Sequence, residues 1–160
     1  MKKFAAILSL VFFIAACGGG NTENNAEKAK ETSTESATTE SGNPSYDPNR
    51  GEGKFKDVEV SPNLDVKLAD AGEKVYSVKC SGCHKLSDEK LVGPGWAGVT
   101  LRHKPEWIMN FVTNTDEMID KDPKVQAQLE ICLVRMPNQG LTDQDARDVY
   151  EFMRKNDGVK

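Results

Sequence analysis

The pentapeptide Cys80-Ser81-Gly82-Cys83-His84 constrains this chain more than any other stretch of it. Two thiols three positions apart on a helical turn point the same way, and the next residue brings an imidazole to the same side. Such a set can form two thioethers to the vinyl groups of one porphyrin while the histidine reaches the iron. C-x-x-C-H is the attachment pattern of a c-type haem, with Cys80 and Cys83 as the covalent links and His84 as the proximal ligand. The motif occurs once, so one haem is expected.

Two other chemistries use a C-x-x-C pair. A structural zinc wants four ligands, usually as two short-spaced pairs. Downstream of the motif only His103 and Cys132 remain as thiol or imidazole donors, and they form no second pair. A thioredoxin-type redox pair normally follows a strand in a βαβ context, whereas here a helical pattern precedes the motif.

Lys2 and Lys3 are followed by the apolar run from Phe4 to Ala16 and then by Cys17. A bilayer span needs about 20 apolar residues, so residues 1–16 read as a secretory signal peptide instead. Ile14-Ala15-Ala16-Cys17 resembles the lipobox of bacterial lipoproteins, which makes Cys17 the lipidated N-terminus. Each buried methylene of the acyl chains then contributes about 0.8 kcal/mol to anchoring. The plainer alternative is secretion with Cys17 lost in the leader. Of the four cysteines only Cys132 is left over, so no internal disulfide framework is available.

Residues 17–52 form the lipidated end and a linker poor in apolar residues and rich in Asn, Thr, Ser, Glu and Gly. A segment of this kind cannot offset its ordering entropy and is expected to be disordered. About 35 flexible residues reach roughly 30–35 Å, enough to hold a domain away from a membrane. Loss of residues 1–16 takes two lysines, leaving 19 basic against 25 acidic residues and a net charge of −6. No basic stripe is present, which excludes nucleic acid as an expected partner.

The domain is expected over residues 53–160, with a core at about 64–155, as an all-α fold of helices joined by loops. Asp65 caps a helix to about Lys79 with Leu68, Ala71, Val75 and Val78 at helical spacing. Pro105 starts a second, carrying Trp107, Ile108, Phe111 and Val112. Asp122 caps a third with Pro123 at its first position and a stripe of Val125, Leu129, Cys132 and Leu133. Thr142 caps the last, with Asp145 as capping-box partner and Ala146, Val149, Tyr150 and Met153 facing inward. Phe55, Val58 and Val60 alternate with charged residues and suggest a short extended arm.

A sixth iron ligand has several candidates. Met109 and Met153 fall within helices and read as packing residues, while Met118 sits in the polar stretch Asp116-Glu117-Met118. Met136 precedes Pro137 in a loop where Asn138 and Gly140 also favour irregular backbone, so its thioether is free to approach the iron. His103 is the other strong-field donor and reads as a surface residue. Cys132 reads as a small core residue, with an intermolecular disulfide or a soft-metal site shared with Met136 as minor readings.

From about Leu64 to Lys155 the chain resembles the class I, mitochondrial-type cytochromes c in a small, lipoprotein-anchored bacterial form. Gly72 and Tyr76 look like the glycine and aromatic of that family's first helix, and Val149 and Phe152 like their partners in the last. Gly93-Pro94-Gly95-Trp96-Ala97-Gly98-Val99 is similar to the family loop G-P-x-L-x-G-V, with Trp96 in the leucine slot. The resemblance implies that the Pro94 carbonyl orients His84 from behind. It implies equally that Met136 is the distal ligand, and that Trp107 packs near the haem propionates unless it is an ordinary core aromatic. The long acidic tether, Trp96 and Cys132 depart from the family pattern.

A haem held by histidine and methionine has no open position for substrate, and the methionine raises its potential. The expected function is one-electron transfer outside the cytoplasm, on the periplasmic side of a membrane, by a chain that is not itself an enzyme. Its partners would be a quinol-oxidising complex upstream and a terminal oxidase or reductase downstream. The alternatives are a ligand-binding or sensor haem with a displaceable distal Met, and a redox subunit fixed in a larger complex.

Overall fold

The computed structural model describes residues 46–160. The expected signal peptide, Cys17 and most of the linker lie outside the described residues. Among those described there are six helices: α1 (Val66–Lys79), α2 (Val99–Arg102), α3 (Pro105–Thr113), α4 (Thr115–Lys121), α5 (Pro123–Cys132) and α6 (Asp143–Asn156). They include no strand beyond one bridge between His84 and Lys90. No described helix is long and apolar enough to cross a membrane.

The frame is the crossing of α1 with α6. Asp65 caps α1 by accepting from the backbone N–H groups of Lys67 and Leu68. The contact centres on Gly72, where a Cβ would run into the Asp148 carbonyl oxygen and the Phe152 side chain. Ala69 and Gly72 are buried and Val75 and Tyr76 pack beside them. Val78, read from the sequence as part of this stripe, is 84% exposed. At 3.6 residues per turn it lies about 120° around the helix from Gly72, off the seam.

The end of the chain is held by its own cap. Thr142 accepts from the Asp145 N–H, and the Asp145 carboxylate accepts from the Thr142 N–H at 3.0 Å. Ala146, Val149, Tyr150 and Met153 are all buried, joined by Phe152. Glu151 is buried too, accepting from Arg154 at 2.7 Å and from the Asp65 N–H at 2.8 Å. Arg154 donates onward to Ser61 O at 2.8 Å. This charged pair locks the entry of α1 against α6; it specifies geometry more than it adds stability.

The sequence pattern missed α2 and α4. Met118, assigned no frame in its polar stretch, is completely buried in α4. Leu133, placed on the α5 stripe, is instead the C-cap, with a left-handed φ of 59° that turns it outward.

Residues 46–60 form a strap across α3, α4 and the start of α5. Buried Asn110 donates to Arg50 O and Phe55 O and accepts from Phe55 N–H, at 2.9–3.0 Å. Asn114 donates to Glu52 O at 3.1 Å. Residues 46–52, which composition placed in the linker, are therefore bonded to the helices. Their apolar content is low because hydrogen bonds, and not side-chain burial, hold them.

Candidate functional site

Helix α1 delivers the C-x-x-C-H turn. The helix end and the turn itself hold the motif: Cys80 N–H bonds Tyr76 O of α1 at 2.9 Å, and Cys83 and His84 N–H both bond Cys80 O within the turn at 3.0 Å. Tyr76 reinforces the turn by donating its hydroxyl to His84 O at 2.8 Å. Its ring meets those of Trp96 and Phe152 at 4.9 and 5.3 Å, which ties the motif to α6. Cys80 is buried and Cys83 exposed. Burial pushes the free Cys80 thiol up to about 11, with Lys79 opposing. That is the reverse of the low-pKa thiol a thioredoxin-type pair requires. No group of three or more His, Cys, Asp or Glu among the described residues converges as a metal cluster would.

The loop from Gly93 to Gly98 presses on the other edge of His84. His84 Nδ1 lies 2.9 Å from Pro94 O. A carbonyl can only accept, so Nδ1 carries the proton and Nε2 is left with a free lone pair. Burial lowers the pKa of His84 and the bond to Pro94 opposes it; the net direction favours the neutral imidazole that a metal ligand requires. Gly93 has no room for a side chain, because its Cβ would strike the His84 ring.

His84 opens onto a cavity of about 320 Å³, and Met136 lines the same cavity from the loop before α6. The walls are apolar, including Val99, Ile108, Phe111, Val125 and Met153. Met153 and Met109 are buried in helices, Met153 against this space. A smaller adjoining void brings Cys132 to the same side as His84 and Met136. Cys132 is half-buried, and the Gln128 side-chain amide lies 3.4 Å from its sulfur.

The cavity's mouth is polar. Arg102, His103 and Lys124 border it, together with Trp107. Trp107 is buried and donates Nε1–H to Asp122 at 2.7 Å. His103, read from the sequence as a surface residue, is stacked on Trp107 with ring centroids 3.9 Å apart and planes 15° from parallel. The sequence carried no signal for this group: its members come from α2, α3 and α5 and meet only through folding. An apolar slot lined by an imidazole and a thioether, with Arg102 and Lys124 on its border and two thiols in the turn that carries the imidazole, suits a flat apolar macrocycle bearing two carboxylates. The residues fit a haem.

Residues 69–157 match the family model for cytochrome c. This chain belongs to the cytochrome c family. It is similar in structure to the cytochrome c of Rhodothermus marinus, with 31% identity and a TM-score of 0.63 over 66% of this chain and 90% of that one. An engineered form of the Rhodothermus marinus cytochrome c gives 30% identity at the same coverage and TM-score. No curated protein sequence matches it. The all-α cytochrome c fold expected from the sequence is the fold found. The cofactor is one covalently bound haem c, and the function of the domain is haem-based electron transfer.

Proposed function

We propose that this cytochrome is a one-electron carrier whose iron is ligated by His84 and Met136, with thioethers at Cys80 and Cys83. The observation that carries the reading is the pairing of a fixed imidazole tautomer with a thioether on one cavity: His84 bonds Pro94 through Nδ1, and Met136 borders the cavity that His84 lines. When bound, the haem supplies reversible exchange of one electron between ferric and ferrous iron. His84 holds its lone pair on the metal side because Pro94 occupies its other nitrogen. Met136 adds a neutral donor that favours ferrous iron and closes the position a substrate would need. The apolar walls exclude water, and Tyr76 and Trp96 brace the proximal side. The chain is a carrier and not an enzyme.

The same reading covers the chain as a whole. It is a class I cytochrome whose domain, expected over 53–160, takes in the strap from about residue 46, and it is removed from its signal peptide and anchored through lipid on Cys17 outside the cytoplasm. The acidic linker holds the domain off the periplasmic face of the membrane. Electrons pass from a quinol-oxidising complex to a terminal oxidase or reductase.

Met136→Ala tests the ligand set. The variant should lose the Fe–S charge-transfer band of the ferric spectrum, show a lower potential and bind carbon monoxide when ferrous. Met118→Ala and Met153→Ala should keep the band, with only a stability loss from their buried positions. Retention of the band in Met136→Ala would refute the assignment. Ready binding of carbon monoxide by the wild-type ferrous protein would replace the carrier with a sensor.

A further inference from the structure

One nitrogen beside the haem cavity has no partner among the described residues. Nδ1 of His103 is buried and makes no hydrogen bond to any of them. Its ring is fixed flat against Trp107, and Trp107 is fixed by its bond to Asp122. Asp122 cannot serve His103, because its carboxyl group is fully engaged. It accepts from the Tyr46 hydroxyl, from Trp107 Nε1 and from the backbone N–H groups of Lys124 and Val125. A buried ring nitrogen without a partner gives up its solvation and gains no bond in return. An arrangement that holds such an atom rigidly, in a cavity wall, implies that something bound in the cavity satisfies it.

The neighbouring charges say what that group is. Arg102 of α2 and Lys124 of α5 border the same cavity as His103, and the charge of each acts on its ring. Asp122 of α5 is the acidic group acting on the ring, and α3 brings only the uncharged Trp107. Two cations and a free imidazole nitrogen, facing a carboxyl group already spent on other donors, make a receptor for a carboxylate. The bound haem carries two, one at each propionate.

We propose that His103 is a positioning residue that donates Nδ1–H to a haem propionate and takes up a proton at its other nitrogen when the iron is reduced. Reduction brings one electron from the redox partner to the iron and makes the haem more negative by one charge. A protonated His103 is stabilised by that change, so one proton comes from solvent to Nε2 of the half-buried ring. Ferrous protein then binds the proton more tightly than ferric protein. The sign follows from linkage: raising the pH favours the state that binds fewer protons, so the potential falls as pH rises between the ferric and ferrous pKa values of His103 and is flat on either side. Before the haem charge is counted, burial, Lys124 and Arg102 all lower the pKa of His103 and Asp122 raises it. The propionate acts in the same direction as Asp122, returning the group toward the range where histidine switches.

The inference rests on the haem lying in this cavity and not on Met136 being its ligand. The test uses full-length holoprotein and follows the midpoint potential from about pH 5 to 8, the histidine range. Wild type should show a falling potential. His103→Phe keeps a ring on Trp107 but no nitrogen, and should give a pH-independent potential with an altered propionate bending mode in the resonance Raman spectrum. His103→Asn offers a donor without a titrating group and should restore that mode while the potential stays flat. A wild-type slope that persists unchanged in His103→Phe overturns the proposal. A measurement without variants guards against misfolding. The chain has two histidines, and with His84 on iron only His103 titrates in nitrogen-15 NMR spectra. Its pKa should be higher in the ferrous than in the ferric protein, and equal values would overturn the proposal. Failure of the Met136 reading would instead show in the Fe–S band and leave this titration in place.

Discussion

At the scale of single residues, what matters around His84 is what is missing. Gly93 carries no side chain, and a Cβ there would occupy the space of the His84 ring. The ring is thereby wedged between Gly93 and the Pro94 carbonyl, which accepts from Nδ1 at 2.9 Å. Gly93→Ala should push the ring away from Pro94 and weaken the bond that orients the proposed iron ligand. Overpacking of this kind costs typically about 1–3 kcal/mol. Thermal melts of the holoprotein should show a loss of that size, and voltammetry should show a shifted potential. An unchanged potential with an unchanged melting temperature would mean the loop yields instead of the ring. The motif cysteines and the histidine were legible in the sequence because they are local, while the glycine-proline loop, ten residues on, was legible only through its family resemblance. The half-buried setting of His103 was not, because burial is a property of neighbours and Trp107 and Asp122 arrive from other elements.

At the scale of elements, caps and prolines announced four of the six helices. Asp65, Pro105, Asp122 and Thr142 each stand at or beside a start. The short helices α2 and α4 lack a side-chain cap bond, and four or seven residues are too few to show a periodic stripe. The strap is likewise invisible to hydrophobic patterning, since backbone bonds to Asn110 and Asn114 secure it. Asn110→Ala removes three of those bonds at roughly 1 kcal/mol each, so chemical denaturation should report a loss of about 2–3 kcal/mol. Hydrogen exchange should rise over residues 50–55 and remain slow in α1 and α6. Equal loosening of α1 and α6 would show that Asn110 supports the core directly and not through the strap.

At the scale of the whole molecule, the proposed anchor and the haem domain are separable. The hydrogen bonds described for His84 and the α1–α6 crossing lie within residues 46–160. Cys17→Ser should abolish acylation, so fractionation should find the protein away from the membrane with its haem spectrum unchanged. Wild-type protein that is already free of membrane and carries no acyl mass would refute the anchor and leave the haem site standing.

The sequence by itself determined the cofactor, the helical class and the principal helix starts. These depend on residues within one or two turns of each other, where covalent geometry and backbone hydrogen bonding dictate the outcome. Tertiary structure alone decided which faces are buried: Val78 and Leu133 are apolar yet exposed, while Met118 lies in a polar stretch and is buried. It also decided how α2, α3 and α5 bring Arg102, His103, Trp107 and Lys124 to one mouth. Their separation along the chain carries no spacing rule, so only packing around a shared cavity makes them neighbours.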